Sequence, residues 1–504
     1  MTQQFQSFAQ VHDMLDDLVT NVKFMASQAR LAQPGSSTIG NDAGAAERTI
    51  HSQLLSIGQV LFAGFANEVG NGDEGFRITH NSETYKRRIQ RTRTLLTVFG
   101  EVPITRCTYY AERPGRAPYV PTDARLNLPD RQHSYFVQQL LSRLTLKDTH
   151  REAVDFFEEL FGRKVSTMTT DHLMPEIAAD TVAFNETLTP KLPEPSNTDK
   201  AKAEDASLLQ VISFDGKGVP IIKEQSAQQT PRLTKGKKRQ QTKEALVGLE
   251  YLTKPNVREA HVVARNLVLG DTGAAAEDSE CKSKRRGTFY IHYESSLTDK
   301  YSVLDTVGER VDARQEAVGG ELDQVCLVDG AERLISRAKA RFPEATVVLD
   351  IIHVTEYLWK AAHALHGEGS PKAKAMVLAH LERILEGSVG RVIGGLRQRL
   401  AAQRTLSARR REAIERAISY FVNHRQYMEY GKYLAAGYPI GTGVVESACG
   451  HLVKQRMSKA GARWSLSGAE AMLRLRAIYA SGNWKAFLEF REKREHCRLH
   501  QTAA

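Results

Sequence analysis

Two short apolar runs each stop on an aspartate, QVCLVD at Asp329 and ATVVLD at Asp350, and GAERLISRAKARF lies between them with helical spacing of its apolar residues. Strands joined through a helix lie parallel, because a tight turn cannot bring the chain back to a parallel neighbour. The unit therefore predicts an α/β core, a parallel sheet with helices packed on it. Upstream, LLQVISFDGKGVPIIKE predicts a buried strand ending at Asp215, a short glycine turn, and a second strand from Val219 to Lys223. Further strands are expected at Leu246 to Leu252 and Thr288 to Tyr293, and a helix at Val303 to Val318. From Val354 to Tyr433 the pattern is helical throughout and contains the strongly basic stretch RQRLAAQRTLSARRREAIERA.

The N-terminal part has a different grammar. Val11, Met14, Leu15, Leu18, Val22 and Met25 recur at helical spacing, LAQPGSSTIGNDAGA reads as a linker, and a second helix is expected from Glu47 to Phe65. Their plain reading is packing or dimerisation. TRTLLTVFGEVPITRCTYY places two β-rich runs about Gly100, a ribbon with Leu96, Val98, Val102 and Ile104 as its apolar side chains. Three helical stretches follow from Tyr135 to Ala179, with Gly162 between the second and third and Ser166 as a cap. That outline is either a helix-turn-helix, whose third helix would enter a major groove, or a plain three-helix support; Pro175 counts against the first. PKLPEPSNTDKAKAEDAS is Pro-rich, charged and aperiodic, and marks a boundary. The expected divisions are 1–93 (helical), 94–189 (β-ribbon and helix-turn-helix-like), 190–207 (linker), 208–353 (core, first part), 354–433 (helical insertion) and 434–504 (core, last part, with a tail).

At 504 residues the chain has room for roughly three domains. With 69 Lys and Arg against 59 Asp and Glu it carries a net charge of +10, which favours a polyanionic partner, nucleic acid first. No basic leader with an apolar core opens the sequence, and no run reaches the ~18 apolar residues of a membrane span, so a cytoplasmic protein without membrane partners is expected. The five cysteines, Cys107, Cys281, Cys326, Cys449 and Cys497, are scattered without a C-x-x-C pair, which argues against disulfides and structural zinc.

The acids carry the chemistry. In the succession hairpin, strands, helix, strand, helix, strand, the first and fourth strands lie side by side, as in an RNase-H-like fold. Asp215 and Asp329 would then sit about one strand spacing apart, ~5 Å, and Asp350 one strand further, at ~10 Å. Carboxylates so placed suit two Mg²⁺ ions, a role Mn²⁺ could also fill. A third acid is needed, and Glu446 in GTGVVESACGHLVKQRMSKAGARW follows glycines that permit a close approach. Taken singly, Asp215 and Asp329 can be read as strand-end caps and Glu446 as a surface charge; together, in fold order, they favour the metal-site reading. Lys237, Lys238 and Arg239 in the polar loop 225–244, with Lys454, Arg456, Arg463 and Trp464 after Glu446, are the candidate DNA contacts: cations for phosphates and Trp464 for stacking on an unpaired base, or else for core packing.

FDGKG, VDGAERL, FPEATVVLDIIHVTEYLW and YPIGTGVVESACGHLVKQRMSKAGARWS, with VFGEVPITRCTYY upstream, resemble the DDE transposases of bacterial insertion sequences, most closely the Kra-type group related to Mutator-like elements. The resemblance runs from about Thr94 to Trp484. It implies an RNase-H-like core interrupted by an all-helical insertion, with Asp215, Asp329 and Glu446 as metal-holding catalytic acids. Related families follow the second Asp with an acid or Cys, two residues and a His, matched by Asp350, Ile351, Ile352 and His353; Asp350 and His353 are expected either as active-site neighbours or as a structural Asp–His pair, with Asp350 the alternative to Asp329 as second acid. The implied activity is binding of terminal inverted repeats, cleavage there, and joining of 3′ ends to target DNA, by a dimer or larger assembly close to the bacterial nucleoid. Rivals are an RNase-H-like nuclease or resolvase that cuts without joining, an inactive transposase-derived DNA-binding protein, and, more remotely, a phosphatase using Asp215 as nucleophile.

Overall fold

The computed structural model describes residues 9–31, 42–113, 115–190, 192, 208–222, 242–270, 287–319, 322–403 and 405–500. It is a mixed α/β protein with two sheets, and the chain forms two compact units, residues 1–184 with 484–504, and 185–483. Among the described residues no helix is long and apolar enough to cross a membrane.

The first unit opens with helices α1 (Ala9–Leu31) and α2 (Ala43–Val69), the latter capped by Asp42, whose carboxylate accepts from the Ala45 amide at 2.8 Å. Strands β1 (Arg77–His80), β2 (Glu83–Thr97) and β3 (Gly100–Ala111) form an antiparallel sheet in that order. The ribbon is the one expected about Gly100, but β2 begins at Glu83, so a boundary at residue 93 or 94 would cut through a strand. Gly100 has φ +136, and a Cβ there would lie 2.7 Å from an Arg163 nitrogen, which explains the glycine. Ala63 and Ala66 of α2 pack with Leu95, Val102, Ile104 and Leu128 into one core cluster.

After the short α3 (Pro121–Arg125) come α4 (Tyr135–Lys147), α5 (His150–Phe161) and α6 (Thr167–Ala178), then α7 (Thr181–Thr187). Thr149 and Glu152 form a reciprocal capping box on α5, Gly162 ends it in the left-handed region, and Ser166 caps α6, as the sequence suggests. Pro175 sits inside α6 without ending it. The exposed face of α6, however, carries Met168, Asp171, His172 and Glu176 and no Lys or Arg. Two carboxylates facing a phosphate-lined groove would be repelled, so these three helices fit the support reading better than the groove-reading one.

The C-terminal helix Trp484–His500, expected as the tail of the last core part, belongs to this same unit. Phe487 is fully buried, with its ring 5.3 Å from that of Phe184. Arg491 and Arg494 reach Asp180 at 3.9 and 3.4 Å, and His496 Nδ1 lies 3.0 Å from Asn127 Oδ1.

In the second unit, β4 (Leu209–Pro220), β5 (Thr242–Thr253), α8 (Ala260–Leu269), β6 (Phe289–Ser296), α9 (Lys300–Val318), β7 (Asp323–Val328), α10 (Glu332–Arg341) and β8 (Thr346–Leu349) build a sheet of order β6-β5-β4-β7-β8. β4, β5 and β6 pair antiparallel, while β7 and β8 join parallel. The glycine turn expected after Asp215 is absent: β4 runs on through Asp215, Gly216, Lys217 and Gly218, each paired with β5, and the intervening loop lies outside the described residues. α9 lays Val307 and Val311 on the sheet and drives Arg314 against the fully buried Glu250 in a two-armed ion pair of 2.6 and 3.1 Å. Then come α11 (Ile351–His366), α12 (Pro371–Leu385), α13 (Val389–Ala402), α14 (Ala408–His424) and α15 (Tyr430–Ala435), the expected helical insertion. The chain re-enters through α16 (Gly443–Ala448), a π-helical turn Cys449–Lys454, α17 (Gln455–Met457) and α18 (Leu466–Ala480).

Candidate active site

The sheet places three aspartates at one level. Ser213 of β4 pairs with Leu327 of β7, so two residues on Asp215 stands opposite Asp329; Val328 pairs with Leu349 of β8, which sets Asp350 beside Asp329. At ~4.8 Å per strand step, Asp329 is the nearer neighbour of Asp215 and Asp350 the next one out. The Asp350 amide continues the ladder by donating to the Val328 carbonyl at 2.9 Å.

Asp215 and Asp329 feel one another. Burial first, and then the Asp329 charge, raise the Asp215 carboxyl above its ordinary value, against hydrogen bonds from the Cys449 thiol and the Gly216 amide. Asp329 sits at the head of a tight turn, where its Oδ1 accepts from the Ala331 amide at 2.9 Å. That turn is gripped by the insertion. Tyr420 Oη of α14 donates to the Asp329 carbonyl at 3.2 Å, and His424 Nε2 lies 2.9 Å from the Gly330 carbonyl. Gly330 has φ +98, and a Cβ there would meet the Tyr420 hydroxyl at 2.7 Å, so only glycine fits. Tyr420 is itself stacked on Tyr357 of α11 with centroids 3.9 Å apart.

Asp350 does a different job. It is fully buried; its Oδ1 accepts from the Ile352 amide and the Thr442 amide, both at 3.1 Å, and its Oδ2 holds His353 Nδ1 at 2.7 Å. Burial disfavours its charge, yet the hydrogen bonds from His353, Ile352 and Thr442 together outweigh burial and lower the carboxyl pKa. The same bond from Asp350 raises His353 to about 9, despite partial burial. Thr442 passes the linkage on: its hydroxyl donates to Glu446 Oε1 at 3.2 Å, one helical turn along. The Ile351 amide also donates to the Ile440 carbonyl at 2.9 Å, so the segment ahead of α16 is stitched to the start of α11.

Asp350, His353 and Glu446 bring one ligand atom each within 4.8 Å of one another. Among the described residues Asp215, Asp329 and Glu446 form no such group, so Glu446 meets Asp350 and His353 rather than the expected pair of aspartates. Asp215 and Asp329 do lie close enough for their charges to interact. Cys449, at the start of the π-helical turn after Glu446, is buried, with its Sγ 3.8 Å from the Asp215 carbonyl.

The expected DNA contacts fare unevenly. Lys237, Lys238 and Arg239 lie outside the described residues. Lys454 and Arg463 are exposed. Arg456 is buried with its guanidinium 4.8 Å from the Trp464 ring, and the Trp464 indole donates to the Met457 carbonyl at 2.9 Å. Trp464 also closes the end of β4, its amide donating to the Pro220 carbonyl at 3.0 Å and its carbonyl accepting from the Ile222 amide at 2.8 Å. Both side chains are core: Arg456 is corrected as a DNA contact, and Trp464 takes the core-packing alternative rather than stacking on a base. Thr442, Cys449, Tyr420 and His424 were missed in the sequence; the glycines around Thr442 and the i, i+4 spacing of Tyr420 and His424 were the signals available.

No protein-family model matches the chain, and no curated protein matches it.

Proposed function

We propose that the protein is a DDE-type transposase with an RNase-H-like core, acting on DNA by metal-assisted phosphoryl transfer. The observation that supports this reading is the placing of Asp215 and Asp329 at one level on the adjacent strands β4 and β7, next to an Asp350–His353 pair to which Glu446 is tied through Thr442. Sheet order β6-β5-β4-β7-β8, with only β5 running against its neighbours β4 and β6, supports the fold assignment, and the helical insertion between β8 and the Glu446 helix agrees with the sequence resemblance.

Asp215, Asp329 and Glu446 would hold two Mg²⁺ ions, which when bound supply Lewis-acid activation of the attacking oxygen and stabilisation of the leaving one. The chain's own residues do the remaining work. With Nδ1 tied to Asp350 and a pKa near 9, His353 is protonated at neutral pH and presents an Nε2 proton to a phosphate oxygen. Thr442 holds Glu446 through its hydroxyl and Asp350 through its amide. Tyr420 and His424 fix the backbone from which Asp329 projects.

Two transposon ends held together would require a dimer or larger assembly, and the basic β2 strand, with Arg91 exposed, is the first unit's best-placed contact for DNA. The test is single-turnover cleavage of a labelled transposon end, taken from the inverted repeats flanking the gene, in Mg²⁺ and in Mn²⁺. Cleavage lost in Asp215→Asn with end binding retained supports the reading; cleavage retained overturns it. A pre-cut end separates the rival: joining to target DNA marks a transposase, cutting without joining a nuclease or resolvase.

A further inference from the structure

The basic stretch in the insertion is used by none of the chemistry above, and the structure gives it a shape. α13 and α14 pack on one another, and the ends that face the short connection between them carry Arg397 in the last two turns of α13 and Arg409, Arg410 and Arg411 in the first turn of α14. From Val389 to Arg411 the sequence contains no acid. Arg397, Arg409 and Arg410 are exposed, and among the described residues none is ion-paired; the nearest acid, Glu412, is taken by Arg416.

The surrounding field is positive as well. Arg399 contacts Met376 Sδ of α12 at 3.0 Å, beside Lys372, Arg383, His366 and His380. Beyond burial, the charges that act on His366 and His380 are those of Arg399, Lys372 and Arg383, all cations. Three arginines in the first turn of a helix also oppose its dipole, so helix stability is not what places them there. A surface that gathers like charges without counter-charges is built for an external anion.

We propose that the α13–α14 tip is a phosphate-binding surface for the backbone of double-stranded DNA, gripping the duplex beside the active site. It rests on the reading of the protein as one that acts on DNA. α14 sets the spacing: eleven residues separate Arg409 from Tyr420, which touches the Asp329 turn. At ~1.5 Å per residue this is roughly 16 Å, about five base-pair steps along a duplex. The tip reads no sequence, because arginine on phosphate positions without specifying.

The experiment is equilibrium binding of the full chain to a duplex of random sequence across a salt series. An Arg397→Gln/Arg409→Gln/Arg410→Gln variant should weaken binding at least tenfold at low salt and flatten the log K against log salt slope by about 0.9 for each phosphate that is no longer neutralised. Arg416→Gln, on the same helix but already paired, should leave both unchanged. Unchanged affinity and slope in the triple variant would overturn the proposal. So would an equal loss in the triple Arg→Lys variant, which keeps the charge and would point to packing instead. Cleavage is not read in this assay, so a chain that shows the slope change but never cuts DNA keeps the surface and loses the transposase reading. A chain that cuts DNA with an unaltered slope does the reverse.

Discussion

His353 and Asp350 make the sharpest pH statement at the scale of single residues. His353 is raised to about 9 in the folded chain, so its bond to Asp350 contributes fully below the ordinary histidine value of ~6.5 and is lost as pH climbs through about 9. Asp350 is lowered, so its contribution is present above ~4 and is lost as pH falls through its depressed value. In EDTA, the difference in unfolding free energy between the wild type and His353→Gln should therefore be greatest between about pH 4 and 6.5 and vanish near pH 10. Denaturant titrations across that range check it, and a pH-independent difference would mean the pair is not ionic. The acids themselves should behave as one unit. Glu446→Gln, Asp215→Asn and Asp329→Asn should each abolish single-turnover cleavage, and the double variants should be no worse, since on the proposed reading all three serve one transition state. Cleavage by Glu446→Gln near the wild-type rate would remove Glu446 from the site.

Among elements, the grip of α14 on the Asp329 turn matters most. Tyr420→Phe removes one hydrogen bond, ~0.5 to 1.5 kcal/mol, without disturbing the stack on Tyr357. The expected result is an unchanged melting temperature within a few degrees, a several-fold higher Mg²⁺ requirement for cleavage, and normal DNA affinity. An unaltered Mg²⁺ titration would show that the turn holds itself. Gly330→Ala should be worse than Tyr420→Phe, because it adds a left-handed strain to a clash at 2.7 Å. Such couplings explain what the sequence revealed and what it hid. Strands ending at Asp329 and Asp350 were legible because apolar runs and helix spacing are local. The fate of Asp215 was misread because Gly216 and Gly218 resemble a turn, whereas their pairing with Leu246 and Glu244 of β5 keeps them extended. At Gly216 a Cβ would meet the Glu244 side chain, which would have to move aside. The burial of Arg456 was hidden for the same kind of reason: a cation looks available until the chain folds it against an aromatic eight residues on, whereas core packing was already one reading of Trp464.

At the scale of the whole molecule, the chain closes on itself: its last helix is part of its first unit. A fragment ending in the 190–207 linker follows the expected divisions of the sequence, yet it would expose the pocket that Phe487 fills and strand Asp180 without Arg491 and Arg494. Phe487→Ala in the full chain should cost ~3 to 5 kcal/mol, the range for emptying a buried aromatic site. Deleting the whole helix should cost more, enough to leave the fragment partly unfolded at 37 °C, since small domains have only ~5 to 15 kcal/mol to lose. Residues 1–190 joined through a flexible linker to residues 484–504 should instead melt cooperatively. Circular dichroism melts of the two fragments decide the matter, and equal melting temperatures would show that the C-terminal helix is an ornament of the unit rather than part of its core.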